Sequence, residues 1–328
     1  MRDAMHRLRP VLELARVTQA FAAVANVWFV ILWTRAHPEH ESASQTIWSR
    51  PVWILLVGGA VAAVGLYAFA MALNDILDLR RDRALRPDRP LPSGRIGVNM
   101  AVSIAVCTLL IAVLGATLLG IEAVVLTIVL SGAILVFNAA GKFVPGFGLV
   151  LLGLIYAGHM VVPNLDLRFV WPVWLVMTHA LVIAGVAYRL GRKVPRISSR
   201  AMGFAAAGWV FWSGVILGVG WWRNRDAGGL WPDWVSPAAA IGPILLAGLF
   251  VVFAWRRVRQ IGPGPRAAEK VSRYGSVWLS FYACVWMFGQ GLVAEGVILT
   301  VLTVLGLLGM TVLRELYGLM EMPLGFRR

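Results

Sequence analysis

The sequence predicts an all-α membrane protein, a polytopic transmembrane helical bundle with nine or ten spans. Of its 328 residues, 59% are hydrophobic and 14% are charged, and the mean hydropathy is +0.76. A water-soluble domain of this length would not tolerate so apolar a composition, so the excess apolar surface must face lipid. Apolar runs of about 20 residues, the length that crosses a bilayer core, recur along the chain. These runs do not alternate with polar residues as the strands of a membrane barrel do, which leaves a helical bundle.

Ten apolar windows follow one another along the chain, and we expect 1–328 to form a single transmembrane domain. The first window follows a basic N-terminal segment without a convincing cleavage site, so we expect it to be retained as a span. The last two windows are separated by 288–295, which is either a turn between two short spans or a polar interruption of one bent helix. This choice leaves nine or ten spans open. The windows lie near residues 15–34, 52–73, 98–119, 121–140, 146–163, 169–190, 201–222, 236–256, 275–291 and 296–316.

The distribution of basic residues predicts how the bundle is oriented. A net charge of +14 would suggest nucleic-acid binding in a soluble protein, but here Lys and Arg lie almost entirely between spans, so we expect no nucleic-acid partner. Of the 30 basic residues, 22 fall at the N-terminus or in the loops on its side. This excess predicts that the N-terminus and the loop after the second span are cytoplasmic, with attraction to anionic membrane lipid as a secondary effect. The opposite loops contain Arg35, Arg50, Arg168, Arg223 and Arg225.

Three aspartates directly follow the second predicted span. If the helix continues through this segment, Asp75, Asp78 and Asp82 are spaced i, i+3 and i+7 and share one face, with Asn74 beside Asp78. Three carboxylates on one stripe repel one another unless a cation joins them. Oxygen ligands of this kind suit Mg²⁺, which is commonly shared with substrate phosphates. The sequence therefore predicts a Mg²⁺ site with a diphosphate as its natural partner.

The loop after these aspartates contains several arginines, Arg89 among them, and its path is shaped by three prolines and Gly94. Its guanidinium groups are suited to the remaining charge of a phosphate. The alternative is that the helix end is a solvated cytoplasmic face with local ion pairs, which is common. The spacing of the acids and their abrupt onset at a membrane boundary favour the binding site.

The string N-D-x-x-D-x-x-x-D at 74–82, followed by R-P-L-P-S-G at 89–94, resembles the first signature of the UbiA superfamily of intramembrane prenyltransferases. The family's helical bundle, with motif loops on the cytoplasmic side after even-numbered spans, is similar to most of this chain. The resemblance implies a prenyltransferase that uses Mg²⁺, a prenyl diphosphate donor and an acceptor that the sequence does not identify. It assigns binding of the Mg²⁺ diphosphate to Asn74, Asp75, Asp78 and Asp82.

A single lysine after the fourth predicted span is a further candidate. Lys142 is expected on the same side as the aspartates and resembles the basic residue of the family that assists the diphosphate. A lone lysine at the end of a span is also a common topology signal. Both interpretations stay open at this stage.

The second acidic motif of the family is missing from this sequence. After the sixth predicted span, where the resemblance leads us to expect acids, 187–196 contains a tyrosine and a run of basic residues. Guanidinium groups there are able to clamp the diphosphate directly, because Arg binds phosphate oxygens in a bidentate way. The positive-inside rule explains the same residues equally well. The candidates for diphosphate binding in this loop are Tyr188, Arg189, Arg192 and Lys193.

Two other functions remain open. A UbiA-like protein that lacks the second set of acids could bind a prenyl diphosphate or lipid and be catalytically weak or inactive. A transporter is a third hypothesis, although the sequence contains no paired broken helices and no clear internal repeat. Turnover of a prenyl diphosphate would distinguish an enzyme from a binding protein.

Overall fold

A computed structural model describes residues 10–14, 16, 19–191 and 195–321, apart from the side chains at 314 and 316–321. Throughout these residues the regular secondary structure is helical, which confirms the predicted all-α class. The helices from residue 20 onward are α1 (Ala20–Ala36), α2 (Gln45–Ser49), α3 (Val52–Leu77), α4 (Leu79–Leu85), α5 (Val98–Thr117), α6 (Ile121–Ala139), α7 (Pro145–Met160), α8 (Trp171–Leu190), α9 (Ser199–Arg223), α10 (Ile241–Ile261), α11 (Pro265–Gln290) and α12 (Val293–Glu321), with 3₁₀ turns at Gly141–Phe143 and Pro237–Ala240.

Seven segments of the described chain are long and apolar enough to cross a membrane. Together they identify an integral membrane protein, as predicted. Helices α1 and α7 are apolar but shorter than the other spans, and α11 begins with several charged residues. Every predicted window overlaps a helix, but the count of nine or ten spans is not confirmed. The seven segments are Val52–Leu77, Val98–Thr117, Ile121–Phe143, Trp171–Leu190, Ser199–Arg223, Pro237–Ile261 and Val293–Leu313.

The last two helices are separate elements joined by a tight turn. Helix α11 ends at Gln290, and Gly291 takes a left-handed conformation with φ +85°. The Leu292 N–H donates to the Met287 carbonyl at 2.9 Å, which satisfies one of the free carbonyls at the end of α11. Glycine is favoured at Gly291 because it has no side chain to strain this conformation. In the structure, 288–295 therefore contain a turn between two helices and do not form part of one bent helix.

The interior of the bundle contains two large hydrophobic clusters, and α1 contributes to both. Val27 and Ile31 face a cluster formed with α3, α5 and α6. Phe29 and Trp33 face a cluster formed with α7, α8 and α11. Helix α1 therefore lies between the two groups of helices, and Arg16, just before it, contacts Asp75 in the last turn of α3.

Helices α3 and α5 approach each other closely enough for their backbones to touch. A Cβ atom on Gly115 would lie 2.5 Å from the Ala62 amide nitrogen and 2.9 Å from the Gly58 carbonyl oxygen. On the α3 side, a Cβ on Gly65 would lie 2.7 Å from the Ala112 amide nitrogen. Small residues allow membrane helices to pack this closely. The contact fixes α3, which carries the aspartates at its end.

We expect Gly115→Ala to lower the free energy of unfolding by about 1–3 kcal/mol, because the new methyl group would collide with the backbone of α3. Thermal unfolding of the detergent-solubilised protein measures the effect. Gly132→Ala in α6 is the matched control, since a Cβ there meets no atom within 4 Å. Equal stability of the two variants would contradict close packing of α3 on α5.

Candidate functional site

The predicted aspartates lie where α3 bends into α4. Helix α3 ends at Leu77, and Asp78 joins it to α4 with φ −87° and ψ 0°. The Asp78 N–H still donates to the Asn74 carbonyl at 2.9 Å, and the Asp82 N–H donates to the Asp78 carbonyl at 2.8 Å. The chain therefore follows a helical path with a break at Asp78, so the continuous helix that would put all three aspartates on one face is interrupted there. Two of the acids lie on either side of this break.

Asp75 and Asp82 share one basic group. Arg89 Nη1 lies 3.3 Å from Asp75 Oδ1 and 2.5 Å from Asp82 Oδ2. Arg16 Nη2 contacts the same Asp75 oxygen at 3.1 Å, and the Asn74 side-chain amide donates to it at 3.3 Å. Asp75 is 5% exposed and Asp82 is 6% exposed. Because a single nitrogen atom touches both buried carboxylates, the two acids lie close enough to share one cation.

Asp78 pairs with a different cation. Lys142 Nζ lies 2.7 Å from Asp78 Oδ1, and both side chains are mostly buried. Lys142 belongs to the 3₁₀ turn that follows α6, so this ion pair connects the end of α3 to the α6–α7 connection. The structure thus brings Lys142 to the aspartates. In this arrangement Asp78 does not share the cation of Asp75 and Asp82.

The fit of this site to Mg²⁺ rests on the Asp75–Asp82 pair. Within the described residues, no three His, Cys, Asp or Glu side chains are grouped as a metal site. Carboxylate oxygens are nevertheless the ligands that Mg²⁺ prefers, and Arg89 Nη1 marks a position between two of them that a cation can occupy. Buried carboxylates need compensating positive charge, which Arg16 and Arg89 supply in this arrangement. Asp75 and Asp82 are therefore the residues that would hold Mg²⁺.

The basic loop after α8 lies at the same end of the bundle. The Tyr188 hydroxyl donates to the Pro195 carbonyl at 2.6 Å, and Arg189 is exposed. Arg81 on α4 lies near enough to Tyr188 to interact with it electrostatically. The remaining two candidates of this loop, Arg192 and Lys193, fall outside the described residues.

Arg16 and several hydroxyl groups were missed by sequence reasoning. Arg16 interacts electrostatically with Tyr67 on α3 and with Tyr156 on α7. Tyr67 lies two helical turns before Asp75, so these groups lie on the membrane side of the aspartates. Their apolar surroundings made the tyrosines indistinguishable from core residues. The spacing of Tyr67 from Asp75 was the one signal available in the sequence.

A helical membrane bundle with buried acids and bases at one end defines a class of intramembrane protein suited to anionic ligands. The model of the UbiA prenyltransferase family matches residues 41–274, which is more than half of the chain. The protein belongs to this family, as its aspartate motif indicated.

Two solved structures share the fold. One comes from work on digeranylgeranylglyceryl phosphate synthase in membranes; it has 17% sequence identity and a TM-score of 0.55, and the match covers 87% of this chain and 99% of that chain. The other is the apo structure of a UbiA homologue from Aeropyrum pernix K1, with 16% identity, a TM-score of 0.51, and coverage of 80% and 94%. At these identities the likeness concerns the fold alone.

One curated relative matches over a shorter stretch. The digeranylgeranylglyceryl phosphate synthase of Saccharolobus solfataricus is 36% identical over 74 residues. That stretch covers 23% of this chain and 24% of the relative. The similarity therefore spans about a quarter of the relative's length.

Proposed function

We propose that this protein is a Mg²⁺-dependent intramembrane prenyltransferase, which moves an isoprenoid group from a prenyl diphosphate to an acceptor. Family membership supports the reaction class. The observation that carries the proposal is the buried Asp75–Asp82 pair, whose carboxylates share one cation position while three basic side chains contact the acids of this segment. Two acids can bind a cation, and the basic side chains beside them can bind negative charge. This combination suits a ligand such as a Mg²⁺ diphosphate, which contains both.

Each charged residue has a distinct role in this proposal. Asp75 and Asp82 would hold Mg²⁺ with Asn74 beside them, and Asp78 would orient Lys142 through their ion pair. The Mg²⁺ ion supplies positive charge against the departing diphosphate. Arg89 and Lys142 would donate hydrogen bonds to phosphate oxygens, a type of contact that is strong because both partners are charged.

Arg16 is added to this set by its contact with Asp75. Its guanidinium group would bind the diphosphate on the membrane side of the aspartates, next to the Tyr67 and Tyr156 hydroxyls. The apolar helices around these residues would hold the isoprenoid tail and exclude water from the allylic cation. Excluding water matters because water would otherwise capture the cation in place of the acceptor.

The loop after α8 would replace the missing second acidic motif. Tyr188, Arg189, Arg192 and Lys193 would bind the diphosphate directly in place of a second metal ion, since guanidinium groups match phosphate oxygens. The proximity of Arg81 on α4 to Tyr188 supports this proposal, because it brings the loop beside the aspartate segment.

We also propose that 1–328 is a single UbiA-like domain with nine or ten spans, and that its N-terminus and motif loops are cytoplasmic. The excess of basic residues on that side of the chain supports the orientation. The shorter helices α1 and α7 and the amphipathic helix α11 would complete the set of spans. Cysteine accessibility at the exposed Arg83 and Arg225 positions, one in each type of loop, would test the orientation.

One observation favours a second candidate, a catalytically weak or inactive protein that binds prenyl diphosphate or lipid. Basic residues stand at 189–196, where the resemblance leads us to expect the second acidic motif of the family. A site without those acids has fewer ligands for metal ions. The second candidate predicts binding without turnover.

We expect the purified protein to release diphosphate from labelled prenyl diphosphates in the presence of Mg²⁺ and an acceptor. Chelation of Mg²⁺ is expected to reduce the rate by at least about 100-fold, because the charge on the leaving group is then uncompensated. Donors of several chain lengths and several acceptors should be compared in parallel. Full activity after chelation would contradict the proposal, and tight binding with no turnover across all acceptors would favour the second candidate.

A further inference from the structure

A second concentration of positive charge lies where α10 and α11 meet. Residues 254–275 contain six basic residues and one acid, Glu269. Among the described residues, none of these six basic side chains forms an ion pair. This contrasts with the aspartate segment, where Arg16, Arg89 and Lys142 are all paired with acids.

Two of these arginines converge on one tyrosine. The guanidinium groups of Arg257 on α10 and Arg273 on α11 both lie close enough to the Tyr274 hydroxyl to lower its pKa. The Arg273 Cζ atom lies 5.4 Å from the centroid of the Tyr274 ring, and Arg257 Nη1 also donates to Gln260 Oε1 at 3.1 Å. The Nε atom of each arginine is buried and has no hydrogen-bond partner among the described residues. Two positive groups from different helices thus lie beside one tyrosine, and neither forms an ion pair within the part of the chain that the structure describes.

The chemistry of this cluster suits an anion. Guanidinium groups that converge in this way repel each other unless negative charge is placed between them. The Tyr274 hydroxyl lies beside both guanidinium groups, and its O–H can donate to a third group. The cluster therefore offers N–H and O–H donors of the kind that bind phosphate oxygens.

The position of the cluster points to the membrane surface. Trp255, at the same end of α10, is 54% exposed on the outside of the bundle, and the Arg259 guanidinium lies 4.7 Å from its ring. Exposed tryptophans at the ends of apolar spans are typical of the lipid head-group level. The Phe253 ring packs on Tyr274 with the centroids 5.2 Å apart, which places Tyr274 level with this part of α10.

We infer that Arg257, Arg273 and Tyr274 bind the phosphate group of an anionic membrane lipid. The positive-inside rule accounts for basic residues in this loop, but it needs only that they lie on the cytoplasmic side. It does not require two arginines from different helices to meet at one hydroxyl, or their Nε–H groups to be sheltered from water. The site is distinct from the aspartate segment and does not depend on prenyl transfer.

The test compares two double variants that remove the same charge. Full-length protein is reconstituted in zwitterionic nanodiscs with increasing amounts of phosphatidylglycerol, and retained lipid is counted by native mass spectrometry. Arg257→Gln/Arg273→Gln is expected to weaken retention by at least about tenfold, since charge-assisted hydrogen bonds from both arginines are lost. Arg256→Gln/Arg266→Gln, at exposed positions of the same patch, is expected to change it by less than about twofold.

Two more conservative variants distinguish a loss of lipid binding from a loss of folding. Tyr274→Phe retains the ring and both arginines but removes the hydroxyl, and we expect it to weaken lipid retention about threefold to tenfold. Arg273→Lys keeps the charge without the forked donor, so its loss should be intermediate. Thermal unfolding checks that each variant is folded.

Three outcomes would overturn the assignment. Equal losses in the two double variants would show that the patch attracts lipid only through its total charge. Unchanged retention in Arg257→Gln/Arg273→Gln and in Tyr274→Phe would show that the cluster binds no lipid. Displacement of the lipid by millimolar inorganic phosphate would reassign the cluster to a soluble phosphate ligand.

Discussion

Asp75→Asn is expected to lower prenyl transfer by at least about 100-fold, because it removes one of the two carboxylates that would hold Mg²⁺. Asparagine keeps the size of the side chain and one oxygen atom, so the packing at the end of α3 is preserved. Diphosphate release measured over a range of Mg²⁺ concentrations checks the prediction. Partial recovery at high Mg²⁺ is expected if the variant binds the ion more weakly.

Asp166→Asn is the matched control. Asp166 is an exposed aspartate whose ion pair with Arg223 spans 3.4 Å, and the same substitution there should leave activity unchanged. Wild-type activity in Asp75→Asn would contradict the proposed role of the Asp75–Asp82 pair. If the unmodified protein binds prenyl diphosphate without turnover, and Asp75→Asn abolishes that binding, the pair is a binding site in a protein that lacks the activity.

The arrangement around Asp75 and Asp82 suggests how the site stays neutral before and after a ligand binds. Arg16 and Arg89 compensate the buried carboxylates in the structure described here. In the proposed function, a Mg²⁺ diphosphate would bring a cation for the two acids and negative charge for the two arginines. This exchange of partners would leave no buried charge unpaired, which would avoid the large penalty of an isolated buried ion.

The aspartate segment could be predicted because its signals are local. Asp75, Asp78 and Asp82 recur at helical spacing, and the backbone follows that path with one break at Asp78. Lys142 was predicted to belong to the site from the resemblance to the family, and not from a local sequence pattern. Arg16 was missed because 59 residues separate it from Asp75 and nothing in the intervening chain indicates their contact.

The placement of helices was predicted better than the number of spans. Hydropathy predicted a helix at every window, and each apolar stretch does overlap a helix in the structure. It did not settle the span count, because 288–295 allowed either a turn or an interruption of one helix. In the structure, α1 and α7 are shorter than the other spans and α11 carries charged residues in its first half. Diphosphate binding by the loop after α8 stays a prediction for Tyr188, Arg189, Arg192 and Lys193, and the last two lie outside the described residues.

Glu41, which sequence reasoning did not single out, forms a buried polar site between α1 and α2. It is 6% exposed, and its carboxylate accepts hydrogen bonds from the Arg168 N–H at 2.7 Å, the Phe169 N–H at 3.1 Å and Trp33 Nε1 at 3.1 Å. This contact joins the end of α1 to the segment before α8. Burial raises the pKa of Glu41 to about 6, although the three hydrogen bonds oppose the shift.

We expect Glu41→Ala to lower the free energy of unfolding by about 3–5 kcal/mol, because three buried N–H groups would lose their acceptor. Thermal unfolding of the solubilised protein measures the loss. Glu39→Ala is the control, since Glu39 is exposed in the same loop and should change stability by less than about 0.5 kcal/mol. Similar losses in the two variants would contradict the role of Glu41 as a shared acceptor.

The raised pKa of Glu41 also predicts how stability depends on pH. The folded protein binds the Glu41 proton more tightly than the unfolded chain, whose carboxyl has its ordinary value of 4.5. The stabilisation from protonation is therefore complete below pH 4.5 and is lost as the pH rises through about 6, a change of about 2 kcal/mol. Glu41→Gln keeps an acceptor oxygen but does not titrate, so the difference between its unfolding curve and that of the unmodified protein isolates this group. A constant difference between pH 4 and pH 7 would show that the Glu41 pKa is not raised by folding.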